Sequence, residues 1–246
     1  MASPITPYDE KNESNEAKEA SFESHPEPIL KEIVSIVGSE SVADLYNFKM
    51  TSKFHRELTD DNYMLKKVSF EKSRKIQWEP NENALSFLKR CEASGNLEVL
   101  WSEGMKEIFN YPIGNWEGRE KLKIAAKGGY NMAKYVYGLI MLCSENDESR
   151  NEGIKHIRYL RMNKCLFYCR RKMYERHSYF WRYNGILVHN QTPVCKSRPA
   201  CGRWRLKKGL WVLLDDEDDD LSSCEYCRCN EELKYFYSMF RIPYIE

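Results

Sequence analysis

Residues 28–58 read PILKEIVSIVGSESVADLYNFKMTSKFHREL, and the spacing of their apolar side chains decides the fold class of this 246-residue chain. Ile29, Leu30, Ile33, Val34 and Val37 recur at i, i+1, i+4, i+5 and i+8. That spacing lays one apolar stripe along a helix that Pro28 can open in its first turn. Gly38 is expected to end it. Val42, Leu45 and Phe48 form a second short stripe behind the cap candidates Ser39 and Ser41, and Thr51 or Ser52 caps a third helix carrying Phe54 and Leu58. Three helices this short bury too little apolar surface to stand comfortably alone, so part of that surface is expected to serve a partner.

The same residues resemble an F-box, the adaptor-docking module of Skp-cullin-F-box ubiquitin ligases. That pattern has a proline followed by paired hydrophobics, a leucine-rich second helix, a polar dipeptide and an aromatic. Pro28, Ile29, Leu30, Ile33, Val34, Leu45, Thr51, Ser52 and Phe54 supply it in that order. Two positions depart from it: Glu27 stands where a leucine usually precedes the proline, and Phe54 where tryptophan is usual. The resemblance implies that Pro28, Ile29, Leu30, Ile33, Val34, Leu45 and Phe54 divide between a three-helix core and the groove of a Skp-type adaptor, through which a cullin is reached. An ordinary three-helix piece of a larger α domain is the alternative.

Upstream, residues 1–27 carry seven acids against Lys11 and Lys18, with Tyr8 and Phe22 as their aromatics, and are expected to form a disordered acidic tail. With 42% hydrophobic and 13% aromatic residues, the remainder can build packed cores. The sequence contains no apolar run long enough to span a membrane, and MASPITPYDE has neither the basic region nor the apolar stretch of a secretion signal. The expected location is therefore the cytosol or nucleus. In such reducing compartments the nine cysteines are expected to be buried thiols or metal ligands rather than disulfides.

Downstream, sliding the chain against itself by 34 residues pairs Leu88 with Leu122, Gly95 with Gly129, Val99 with Ala133, Trp101 with Tyr135 and Gly104 with Gly138. A period near 34 residues belongs to helix-turn-helix solenoids, whose hairpins bury their faces against their neighbours. Small Ala125, Ala126 and Ala133 permit close helix crossing, and Gly95 and Gly129 suit left-handed caps between helices. Ala125 to Gly138 is similar to the Sel1-like variety of the tetratricopeptide class. Glu152 to Leu160 is expected to begin a third, incomplete repeat. A plain helical domain with coincidental similarity is the alternative.

After about residue 165 helical periodicity fades and five of the cysteines crowd the chain: Cys195, Cys201, Cys224, Cys227 and Cys229. Cys224-Glu-Tyr-Cys227 lets two thiolates reach one tetrahedral ion from a tight turn, and Cys195 with Cys201 is the nearest second pair. His189 can replace Cys195, and Cys229 can replace Cys227. These residues point to one structural zinc ion, with buried thiols as the alternative. Cys165 and Cys169, on one helix face, are read as core thiols. Residues 204–214 read as a β-ribbon, Asp215 to Asp220 as an exposed acidic loop, and Glu231 to Phe240 as a final helix docked on the ribbon.

From Pro28 onward the arrangement resembles a family of plant F-box proteins. The expected fold is mainly α: an F-box at 28–70, Sel1-like or tetratricopeptide-like hairpins at 80–165, and a small α+β cysteine-rich module at 166–246. The resemblance implies a non-catalytic receptor subunit that docks on the adaptor and grips an unidentified protein target through the repeats or the C-terminal module. The rival is a nucleic-acid-binding protein, because residues 155–213 hold fifteen Lys and Arg interleaved with Tyr and Trp, a combination that single-strand binders use. No phosphate loop, nucleophile elbow or paired-carboxylate signature supports an enzyme.

Overall fold

The computed structural model describes residues 22–110, 113–179, 186–187, 192–196 and 224–241, and the regular elements among the described residues are all helical. The N-terminal group comprises α1 (Glu27–Glu40), α2 (Val42–Lys49), α3 (Lys53–Thr59) and α4 (Asn62–Lys67). Its boundaries follow the cap chemistry: Asp44 N–H donates to Ser41 Oγ at 3.3 Å, His55 N–H to Ser52 Oγ at 3.0 Å and Tyr63 N–H to Asp61 Oδ1 at 2.8 Å. Gly38 does not end α1, contrary to expectation. It is a buried helical residue facing Leu45 and Val68, where a Cβ would make ordinary contact at 3.4 Å. The helix stops at Glu40 because Ser41 turns extended to cap α2.

A fourth helix, α4, joins the three expected, with Met64 and Leu65 buried in the same core. The acidic segment also ends sooner than expected. Phe22 packs edge-on against Phe48 at 5.8 Å and His55 at 5.6 Å, so burial of an aromatic orders the chain just before α1. Residues 1–21 lie outside the described set.

After the short α5 (Arg74–Trp78), three helical hairpins follow: α6 (Glu82–Ala93) with α7 (Leu97–Ile108), α8 (Gly118–Lys127) with α9 (Asn131–Leu142), and α10 (Asp147–Met162) with α11 (Leu166–Arg176). One turn recurs in all three. Gly95, Gly129 and Lys164, spaced by 34 and then 35 positions, have φ of 78°, 104° and 54°. Each is followed by a backbone N–H that reaches five residues back: Asn96 to Cys91 O at 3.0 Å, Tyr130 to Ala125 O at 3.1 Å and Cys165 to Leu160 O at 2.8 Å. These are the six-to-one bonds of a Schellman cap.

The third hairpin is therefore complete, not a fragment. Its period was hidden because lysine, not glycine, occupies the left-handed position, and because the basic residues of α11 dilute its apolar stripe. Left-handed backbone costs a non-glycine residue roughly 1 kcal/mol. Lys164→Gly is accordingly expected to stabilise the protein by up to about 1 kcal/mol, read as a higher midpoint in chemical denaturation.

Glycines also set the spacing between hairpins. A Cβ on Gly104 of α7 would lie 2.7 Å from the Gly118 carbonyl of α8, and one on Gly153 of α10 would lie 2.6 Å from the Gly138 carbonyl of α9. The second helix of each hairpin thus meets the first helix of the next almost backbone to backbone. Ala125, Ala126 and Ala133 are buried in the same stack.

Two cores result. One joins Leu30, Val34, Leu45, Leu58, Met64 and Phe70 of the N-terminal segment to Leu88, Cys91 and Val99 of the first hairpin. The other runs from Trp78 and Trp101 through the later hairpins to a final helix, α12 (Glu225–Phe240). This helix starts six residues earlier than Glu231, within the cysteine motif, and packs on α9 and α10. Its apolar positions Leu233, Phe236 and Phe240 are buried in that core. The expected ribbon at 204–214, which would supply the β part of the C-terminal module, and the acidic loop at 215–220 lie outside the described residues.

Candidate functional site

Two places gather the residues singled out in the sequence. On α1 the paired hydrophobics separate into two faces. Leu30 and Val34 are buried beneath Leu45, whereas Ile29, Ile33 and Ile36 are 49%, 43% and 58% exposed. The exposed three recur at i, i+4 and i+7, which is one continuous strip on the outer side of the helix. Half exposed, each of the three isoleucines forgoes about 1 kcal/mol relative to full burial. Pro28 is exposed in the first turn, and Phe54 is half-buried against the N-terminal core.

The strip is framed by polar links that fix α1 on α4. Lys31 bridges Glu27 at 2.8 Å and Asp61 at 2.7 Å, and Tyr63 OH donates to Glu32. Hydrogen bonding to Asp61 and Glu27 raises the Lys31 pKa. Tyr46 and Met50, one turn apart on and just past α2, are also exposed. The sequence reading overlooked Ile36, although its i+3 spacing from Ile33 was a usable signal.

The second place is the start of α12. The sulfurs of Cys195, Cys224 and Cys227 lie within 4.8 Å of one another, and the Cys195–Cys224 separation is 3.9 Å. Four sulfurs at about 2.3 Å from a tetrahedral ion lie about 3.8 Å apart along each edge, so this spacing suits a shared ion and is far beyond a disulfide bond. Cys224 caps α12 and Cys227 falls in its first turn, where the positive end of the helix favours thiolate charge. Burial, followed by the neighbouring Cys195 and Cys224, pushes the Cys227 thiol up to about 12 in the absence of a cation.

The segment carrying Cys195 is itself tied down. Val194 N–H donates to Asn230 Oδ1 at 2.7 Å, Arg150 donates to the Thr192 carbonyl at 2.5 Å, and Lys196 bridges Asp147 at 3.2 Å. Across the centre, Arg161 meets Glu225 at 2.6 Å, joining the end of α10 to the start of α12. Of the alternatives in the sequence, Cys227 and not Cys229 joins the cluster. Cys229 is fully buried on the other side of the helix, where burial raises its pKa. Cys201 and His189 lie outside the described residues. Cys169 is a core thiol as expected, and Cys165 is half-buried at the third hairpin turn.

A third feature was missed altogether. Arg170 of α11 and Glu232 of α12 form a fully buried ion pair at 2.6 Å, and Tyr135 OH of α9 donates to the other carboxylate oxygen at 2.9 Å. Burial, with Glu232 beside it, holds the Tyr135 hydroxyl well above its ordinary pKa. No sequence pattern links positions so far apart. The network also bears on the basic segment, because several of its cations are internal. Arg170 and Arg176 are buried, Arg176 lies over the Trp101 ring at 5.4 Å, and Lys172 bridges Glu71 at 2.7 Å.

Comparison with known proteins fits this architecture. Residues 71–177 match the family described as plant tetratricopeptide repeats. That span runs from just before α5 through the third hairpin, which is the part of the chain where the turn recurs. Two Arabidopsis thaliana proteins with F-box names are similar. At1g67623 is 28% identical over 217 residues, covering 83% of this chain and 72% of that protein. At2g35280 is 26% identical over 134 residues, covering 54% of this chain and 81% of that protein. No solved structure matches the chain. F-box similarity joined to a repeat segment is the mark of a protein-interaction adaptor. Among the described residues no helix is long and apolar enough to cross a membrane.

Proposed function

We propose that this chain is a substrate-recognition subunit of a Skp-cullin-F-box ubiquitin ligase. It docks on a Skp-type adaptor through α1 and presents a protein target, held by the repeats or the C-terminal region, for ubiquitination by other subunits. The exposed strip Ile29, Ile33 and Ile36 carries the reading, since it lies opposite the residues that α1 spends on its own core. An apolar helix face of this kind is what a partner groove reads at i, i+4 and i+7. The buried Leu30, Val34 and Leu45 then support the strip from the core, Phe54 is half-buried beside them, and exposed Pro28 extends the outer face at the start of α1. In this reading the chain does no chemistry itself and works in the cytosol or nucleus.

Co-purification of the full chain with a Skp-type adaptor tests it. Ile33→Asp and Ile36→Asp are each expected to weaken binding by about 5- to 150-fold, the effect of losing an interface anchor worth about 1–3 kcal/mol. Helicity should stay unchanged, because both side chains are exposed. Leu30→Asp is unsuitable, since it would place a charge in the core. A wild-type chain that fails to retain the adaptor, or an Ile33→Asp chain that retains it fully, overturns the proposal.

We propose also that Cys195, Cys224 and Cys227 hold one structural zinc ion, with Cys201 as the fourth thiolate that the sequence offers. Three soft sulfur donors select zinc over the hard cations magnesium and calcium. Elemental analysis of the purified chain should find one zinc per molecule.

A further inference from the structure

Helix α12 is a resident occupant of the repeats. It buries Leu233, Phe236, Tyr237 and Phe240 against them, with Phe240 stacked on Phe109 at 4.2 Å, and it inserts Glu232 between Arg170 and Tyr135. This is the helix-in-groove arrangement by which amphipathic peptides are bound, made here within one chain. Twenty-seven residues separate Lys196 from Cys224, so α12 reaches α9 and α10 through a long connection and is seated there by its contacts.

The cysteine cluster lies at the neck of that long connection. Cys195 and Cys224 are 29 positions apart, and an ion shared by their sulfurs closes the intervening chain into a loop. Closing a loop of that length beforehand favours the docked arrangement on the order of a few hundredfold, by the entropy that an open loop would otherwise lose on docking. The cluster is also aligned for this task. Asn230, one turn beyond Cys227, holds Val194 at 2.7 Å, so the N-terminal end of α12 brings together two thiols and the clamp on the segment that carries the third.

We infer that the metal centre is a staple whose occupancy controls the docking of α12 on the repeats, and with it access to the face of α9 and α10 that α12 covers. The inference rests on the zinc reading above and adds a consequence to it. With the ion bound, that face is closed to any target and recognition falls to other surfaces. With the ion removed, α12 samples an undocked state while the N-terminal helices, which share no core with it, stay folded.

Hydrogen exchange on the full chain, before and after treatment with a zinc chelator, tests this. Protection of α12 amides is expected to fall by about a hundredfold, with a parallel loss on the covered side of α9 and α10 and no change in α1 to α4. Cys227→Ser should reproduce the chelated pattern, and cobalt(II) added to the stripped wild-type chain should restore protection and give a thiolate-to-cobalt absorption band. A chain that carries no zinc and gives no such band overturns the zinc reading and the inference together. A chain that carries zinc but keeps α12 protected on stripping overturns the staple alone. Protection lost equally in every helix also overturns it, since the ion would then support the whole fold rather than one docking step.

Discussion

Arg170→Met is expected to destabilise the protein by about 3–5 kcal/mol, because it strands a carboxylate in a fully buried site. Glu232 has no exposure, and its two oxygens are held by Arg170 Nε at 2.6 Å and Tyr135 OH at 2.9 Å. Removing the guanidinium takes away the opposite charge beside a carboxylate that water cannot reach. Glu232→Leu should cost a similar amount for the opposite reason, a buried guanidinium without its anion. The double variant Arg170→Met with Glu232→Leu is the informative one. A buried pair is worth little over a well-packed apolar substitute, so the double variant should recover most of the loss of either single one. Urea denaturation of the four proteins gives the cycle. Single variants within about 1 kcal/mol of wild type would show that the site admits water or shifts its protons, and that α12 is held by its apolar contacts alone.

How much of this was legible beforehand depends on the range of the interaction. The stripe in α1 was readable because Ile29, Leu30, Ile33 and Val34 lie within two turns, and helix periodicity needs no tertiary information. The division of that stripe into core and outer faces was not readable. Paired hydrophobics populate both sides of the helix, and only the seat of Leu45 and Val68 decides which side closes. The turn at Gly95 and Gly129 was legible because glycine advertises left-handed backbone. The same turn at Lys164 was hidden, since lysine carries no such mark, and the third hairpin was shortened as a result. The clustering of Cys195 with Cys224 and Cys227 was foreseen from thiol spacing, although the motif read as a tight turn proved to open a helix. The Arg170–Glu232 pair spans α11 and α12, and a charge pairing of that range has no local signature.

The junction between the N-terminal helices and the repeats turns on one side chain, and Asn96→Ala is expected to cost about 2–4 kcal/mol. Asn96 is 1% exposed and uses its whole amide. Its Oδ1 accepts from Glu98 N–H at 3.1 Å and Val99 N–H at 3.0 Å, capping α7, while Nδ2 donates to the Leu65 carbonyl at 2.9 Å and the Val68 carbonyl at 2.8 Å. Loss of the cap costs about 1 kcal/mol, and each buried carbonyl left without its donor adds roughly another. Asn96→Asp separates the two halves of the role, because it preserves the cap and turns an oxygen toward both carbonyls. It should be at least as damaging as alanine at neutral pH if the interdomain bonds dominate, and nearly harmless if only the cap counts. The neighbouring residue reinforces the seam: Glu98 Oε2 accepts from Phe70 N–H at 3.1 Å, and burial raises its pKa. Thermal melts of the two Asn96 variants, read beside exchange protection in α4 and α7, decide the point. A concerted loss in both helices means that Asn96 couples the N-terminal helices to the repeats, so that the two halves of the described chain hold one fixed geometry.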